Sequence, residues 1–290
     1  MSGSLAASDA TPRRVLVTGA RGRLGRSLAA VLAADPPASW APSWAARSWS
    51  GAAERPAGDI LEIDLADAAA IEPGIAAVRP AVIVHLGAYL PHAGGDAALA
   101  HRVNVEATRI LADAAARHGV ERIVFASSAA VYGDSRPRAL REDDDLGPAS
   151  VYGETKADAE AALADSGVPT MLLRIFNVHG DRFSDSLVTR LRSATPDAPV
   201  RLHGWSRFVR DYVHGDDVAR ALVRAAEVPG VTGAVPLNIA SGEPLSNEAL
   251  VARLERDGPV PHVRDGDAES WSWADTSAAE RALGVTASRL

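Results

Sequence analysis

The sequence contains no cysteine in its 290 residues. That excludes disulfides, thiolate zinc sites and thiol nucleophiles together. Its eight histidines are scattered and form no HExxH pair, so no metal site is expected. No apolar run approaches the roughly 20 residues that a membrane helix needs. The opening MSGSLAASDATPRR has no apolar stretch of the signal-peptide kind. Residues 1–12 are expected to be a disordered tail, and the protein cytoplasmic with no membrane partner. Basic surplus is also missing: the formal net charge is −7, which argues against a nucleic-acid partner. An anionic small substrate would need local arginines to receive it.

Lysine is almost absent. Of 30 basic residues only Lys156 is lysine. The bland reading is chance. The functional one is a position where a planar guanidinium cannot replace a compact ammonium.

What is present is ordinary for a soluble enzyme: 47% hydrophobic and 23% charged residues. The length suits one large domain, or one domain with a smaller lobe. Buried-strand patterns occur at Arg14–Thr18, Ala81–Leu86, Arg122–Ala126 and Thr170–Phe176. Helical patterns occur at Leu24–Ala34, Ala97–His118 (ending at Gly119) and Val151–Asp165. Pro36–Gly58 holds three of the six tryptophans, and a further strand is placed near Pro42–Arg47. Residues 178–209 read as loop and short helix. Asp216 is the candidate cap of a helix running to about Ala226. Alternating buried strands and helices predict an α/β fold with a doubly wound parallel sheet.

Thr18-Gly19-Ala20-Arg21-Gly22-Arg23-Leu24-Gly25 joins the first strand to the first helix. Glycines there allow a tight turn and close approach of a pyrophosphate, and the helix start offers free N–H groups. Gly19, Gly22, Arg23, Leu24 and Gly25 are therefore expected to bind a dinucleotide, which makes the sheet Rossmann-like. Residues 13–177 would form this NAD(P)-binding domain, with a return segment at about 211–242. Residues 178–210 and 243–290 would form a smaller C-terminal substrate-binding lobe. An acid about twenty residues beyond the turn would favour NAD. Here the chain reads Trp44-Ala45-Ala46-Arg47-Ser48, and Arg47 suits a 2′-phosphate. NADP is favoured slightly over NAD.

Tyr152-Gly153-Glu154-Thr155-Lys156 places a phenol and the single ammonium one helical turn apart. A nearby ammonium is expected to lower the phenol's pKa from about 10 and fit it for proton transfer during hydride exchange.

The GxxGxxG spacing and the YxxxK pair resemble the extended short-chain dehydrogenase/reductase family, in its nucleotide-sugar branch. Ser127-Ser128-Ala129-Ala130-Val131-Tyr132-Gly133 is similar to that family's SSxxVYG segment. The resemblance implies that Ser128 bonds the same substrate oxygen as Tyr152, while Tyr132 packs structurally. It places Asp64 and Leu65 at adenine, and Leu86, Gly87 and Ala88 beneath the cofactor. Asn104 is the family's helix asparagine, and Phe176 lies near nicotinamide. Lys156 would also hold the nicotinamide ribose. Asn177, Arg210, Arg264 and Asp267 would bind the substrate, the arginines its diphosphate and Asp267 its ribose. His85 is read as a satisfied core histidine.

The implied enzyme is a nucleotide-sugar epimerase or 4-ketoreductase, with hydride transfer expected at hexose C4. Ala129 and Ala130 stand where the family's 4,6-dehydratases carry Asp-Glu, so a dehydratase is not expected. Two other readings stay open: a reductase of a non-nucleotide carbonyl, and a non-catalytic dinucleotide sensor. By analogy a homodimer would form through helices 97–118 and 151–165.

Overall fold

The computed structural model describes residues 12–51, 55–91 and 95–290. The expected N-terminal tail, apart from Pro12, lies outside the described residues.

In chain order, β1 (Arg13–Thr18) leads through α1 (Arg23–Ala34) to β2 (Trp40–Ala46), β3 (Asp59–Glu62), α2 (Ala68–Val78) and β4 (Val82–His85). Then come α3 (Ala97–His101), α4 (Ala107–Arg117), β5 (Arg122–Ser128), α5 (Val151–Asp165) and β6 (Thr170–Ile175). Beyond them run β7 (Asn177–His179), α6 (Leu187–Arg192), β8 (Val200–Leu202), β9 (Phe208–Arg210), β10 (Tyr212–His214), α7 (Gly215–Glu227) and β11 (Ala234–Ile239). The last elements are β12 (Leu245–Ser246), α8 (Asn247–Leu254), β13 (His262–Arg264), β14 (Ser270–Ser272) and α9 (Ser277–Leu283).

The main sheet has the order β11-β6-β5-β4-β1-β2-β3, with every neighbouring pair parallel. Strand order reverses between β1 and β4, the switch point where doubly wound sheets bind ligands. Val15 and Val17 of β1 pack with Leu28 and Leu222 on the α1–α7 face. Leu16 packs with Ile71 and Leu111 on the other. This period-2 alternation, apolar on both faces, is why β1 reads as a continuous apolar run.

The structure departs from the sequence reading in three places. The expected helix 97–118 is interrupted by a π-turn over Arg102–Glu106. Asn104 in that turn bonds the Tyr89 backbone and the Thr155 hydroxyl. Such single π-turns recur near functional sites. Second, α7 is capped by His214, whose Nδ1 accepts from the Asp216 N–H; Asp216 sits inside the first turn. Third, residues 178–209 hold α6 with three-residue strands, too short to leave a periodic signature.

The β2–β3 crossover is unusual. Parallel neighbours are normally joined through a helix, yet the described part of residues 47–58 carries none. Buried Trp40, Trp44 and Trp49 cover that edge instead. Their indoles are anchored, Trp44 Nε1 donating to the Ala57 carbonyl at 2.9 Å and Trp49 Nε1 to Leu61 at 2.8 Å. A satellite core gathers Val188, Leu191, Leu202, Tyr212, Leu245 and Leu250 from the later segments.

Candidate active site

The turn after β1 is shaped for close approach. Gly19 has φ 69°, and a Cβ there would stand 2.5 Å from the Gly87 nitrogen. A Cβ on Gly25 would strike the Ala20 carbonyl. Gly22 caps α1 without any side-chain hydrogen bond, so the first N–H groups of that helix remain available to an anion.

These residues open onto a cavity of about 610 Å³ at the carboxyl edge of the sheet. Gly19, Gly22, Arg23, Leu24, Gly25, Leu86 and Ala88 line it together with Ser128, Tyr152, Lys156, Phe176, Asn177 and Arg210. Thirteen residues singled out from distant parts of the sequence thus meet around one space. Phe208 and Tyr212 line it too, as do Phe183, Asp185, Ser186 and Leu187 from the loop leading into α6, a loop that had no recognisable signal. Arg23 pairs with Asp185 of that loop, tying the phosphate turn to the later segment.

Ser150 caps α5 by accepting from the Gly153 N–H, which sets Tyr152 in the first turn and Lys156 one turn on. The electrostatics correct the sequence reading. Burial pushes the Tyr152 phenol up to about 12, against weaker lowering by the Ser128 hydroxyl and Arg23. Lys156 is not among the groups that lower it. Its Nζ lies 5.8 Å from the Tyr152 ring centroid and donates to the Ala126 carbonyl at 2.7 Å. Burial brings Lys156 itself down to about 7, with Glu160 opposing. Desolvation outweighs the charge–charge attraction that spacing alone suggested.

Glu160 is the residue that the sequence reading missed. It is 5% exposed and accepts from the Ser127 hydroxyl at 2.5 Å and from Arg174 Nη2 at 2.8 Å. Arg174 also donates to the Tyr132 hydroxyl, which donates to Asn238. Two signals existed: Glu160 follows Lys156 by one helical turn, and Arg174 interrupts an otherwise apolar strand.

Tyr132 is 2% exposed within this network, a structural placement. His85 is 0% exposed, hydrogen-bonded to Thr18 and Thr108, and pushed to about 3 by burial. It is a neutral core histidine.

Other candidates do not line the cavity. Asn104 acts from behind through Tyr89 and Thr155. Gly87 and Leu65 pack beneath the Gly19 turn. Asp64 Oδ1 accepts from the Ala66 N–H. Arg47 is exposed beside Ser48, whose carbonyl accepts from Arg21 at 2.5 Å. Arg264 lies over the Trp205 ring at 3.5 Å, and Asp267 is exposed on the following loop.

A second space of about 320 Å³ adjoins Ser128. Ala129, Ala130, Gly133 and Ser150 keep it wide, and Asn177, Asp134 and Arg210 bring polarity. Arg210 is held by Ser270 at 2.7 Å and lies over Phe208 at 4.0 Å. The cavity thus joins an anion-binding turn, a phenol–amine pair and a recessed arginine.

A model of the NAD-dependent epimerase/dehydratase family matches residues 15–240. The chain belongs to that family. It is 34% identical to a dTDP-glucose 4,6-dehydratase of Streptomyces griseus, over 70% of this chain and 65% of that one. It is 32% identical to a UDP-glucose 4-epimerase of Bacillus subtilis strain 168, over 79% and 77%. The UDP-glucose 4-epimerase of Brucella ovis, solved with NAD, superposes with a TM-score of 0.82 at 28% identity, covering 95% of this chain and 94% of that one. The family's NAD dependence agrees with this chain's seven-strand parallel sheet and with a turn that any side chain at Gly19 or Gly25 would block. Among the described residues, no helix is long and apolar enough to cross a membrane.

Proposed function

We propose that this protein is a nucleotide-sugar 4-epimerase that moves a hydride to and from C4 of a hexose while keeping its dinucleotide. The observation that carries this reading is the room beside Ser128. Small side chains leave about 320 Å³ there, space for a ketone to turn and present its other face. Gly19, Gly22 and Gly25 would cradle the pyrophosphate, Phe176 would border the nicotinamide, and Lys156 would hold its ribose. When bound, the nicotinamide exchanges a hydride with the sugar carbon, and its oxidised ring adds a positive charge that favours the Tyr152 phenolate.

Tyr152 takes the proton of the sugar hydroxyl as the carbon is oxidised and returns it on reduction. Ser128 steadies that oxygen. Arg210 receives the diphosphate, for which a planar guanidinium is suited. The satellite core and its loops form the substrate lobe, with Asn177 at its border. Arg264 and Asp267 would reach the nucleotide only if their loop closed over it. Dehydration is not proposed. Ala129 and Ala130 can move no proton, and the nearby Asp134 carboxylate is engaged by Ser270 and Arg210.

A second reading is a 4-ketoreductase that consumes NADPH. It is favoured by the β2 end, where Arg47 stands in place of an acid and Arg21 lies close by. Conversion of a nucleotide sugar without added dinucleotide separates the two. We further infer a homodimer through α4 and α5, which sedimentation at several concentrations tests.

A further inference from the structure

Arg210 stands between two spaces, lining both the cavity of about 610 Å³ and the one of about 320 Å³ beside Ser128. Its side chain is 15% exposed. Burial works against its charged form, and Asp134 opposes that effect. A guanidinium so placed needs a counter-charge. The structure supplies Asp134, whose Oδ2 lies 3.6 Å from Arg210 Nη2.

Both partners are held in place. Arg210 Nη2 donates to the hydroxyl of buried Ser270 at 2.7 Å, and that hydroxyl gives its own proton to Asp134 Oδ2, since a carboxylate can only accept. Arg210 Nη1 donates to the Val209 carbonyl at 2.8 Å, and the guanidinium carbon lies 4.0 Å from the Phe208 ring centroid. The backbone of Asp134 is pinned as well. Its carbonyl accepts from the Trp271 N–H at 2.7 Å, and a Cβ on the preceding Gly133, at φ 73°, would strike the Gly147 carbonyl. A phosphate that reaches the remaining N–H groups of Arg210 therefore comes within range of a fixed negative charge. Asp134 is half-exposed, so solvent screens the repulsion to a several-fold effect on affinity.

Resting on the reading of Arg210 as the diphosphate contact, we propose that Asp134 sets the affinity for the nucleotide: it is a built-in counter-ion with which the diphosphate must compete for Arg210. It keeps the recessed arginine charged and ordered, and it loosens the grip on the ligand. A diphosphate is bound alike in ground and transition states, so a tighter grip would add nothing to the chemical step, while a looser one speeds release. Ligands that lack the diphosphate are indifferent to Asp134.

The test titrates UDP into the full chain with saturating NAD, by calorimetry. Asp134→Asn keeps an oxygen for the Ser270 hydroxyl and removes only the charge. It should tighten UDP about fivefold, and the gain should shrink in about 0.5 M salt, as an electrostatic effect must. Uridine, which has no phosphate, should bind within about twofold of its affinity for the native protein. Asp134→Glu, which keeps the charge, should bring no gain. A merely structural role for Asp134 would move uridine and UDP together and would not respond to salt. UDP affinity that is unchanged or weaker in Asp134→Asn, an equal gain for uridine, a gain that persists at high salt, or the same gain in Asp134→Glu each overturns the inference and leaves the reading of Arg210 standing. If Arg210→Ala leaves UDP affinity unchanged, that reading falls and the inference falls with it.

Discussion

Glu160 accepts a 2.5 Å hydrogen bond from the hydroxyl of Ser127. Ser127 lies between the carbonyl that holds Lys156 and the hydroxyl of Ser128, so this one contact fixes the end of β5 against α5 at the candidate site. Arg174 compensates the buried carboxylate with three contacts of 2.8–3.2 Å. Removing one partner of such a pair is costly, about 3–5 kcal/mol when the other charge is left bare.

Glu160→Gln should therefore lower kcat about tenfold or more with KM for the nucleotide sugar nearly unchanged. It should also move the alkaline limb of the pH–rate profile. Glu160 raises the Lys156 pKa, so its loss lets that value fall and the ammonium is lost at lower pH. A melting temperature that drops while the profile stays put would assign Glu160 a structural role only.

Lys156 makes a stability prediction with a definite sign. Its folded value, about 7, lies below the ordinary 10.5, so the unfolded chain binds more protons between those limits. Stability from this group therefore rises as pH climbs from about 7 toward 10.5 and is least below 7. Lys156→Met should remove that slope, raise the melting temperature at pH 7 and abolish turnover. Melting curves of both proteins across this range check it.

At the other end of the cofactor site, Arg47→Ala and Arg21→Ala should each weaken NADPH about tenfold, the scale of a charged hydrogen bond, and leave NADH within about twofold. Calorimetric titration of both dinucleotides reads the difference. Equal loss for both would remove the 2′-phosphate role.

Arg210→Ala should raise KM for a nucleotide sugar at least about tenfold with a smaller effect on kcat, since a diphosphate is bound alike in ground and transition states. An unchanged KM would move the substrate to a non-nucleotide carbonyl.

The legible parts of the fold were those in which local sterics decide. Gly19 and Gly25 stand where a Cβ has no room, and Ser150 starts α5 through its own side chain. Helix 151–165 was read with the bounds that it has. The acidity of Tyr152 was not legible, because burial is a property of the whole fold and exceeds the effect of one neighbour four residues away. Glu160 and Arg174 are separated by 14 residues and meet only when α5 packs on β6. The cover over β2 was hidden for a similar reason: tryptophans in a Pro- and Ala-rich stretch have no period, and only tertiary packing shows that they stand in for a helix.

The central claim is tested most directly by incubating the purified protein with UDP-glucose or UDP-galactose, without added dinucleotide, and following the C4 epimer by NMR. The account predicts conversion by the native protein and a rate about 100- to 10,000-fold lower for Tyr152→Phe, the range of a lost acid–base group. Conversion at full rate by Tyr152→Phe, or none by the native protein even with NAD supplied, would contradict it.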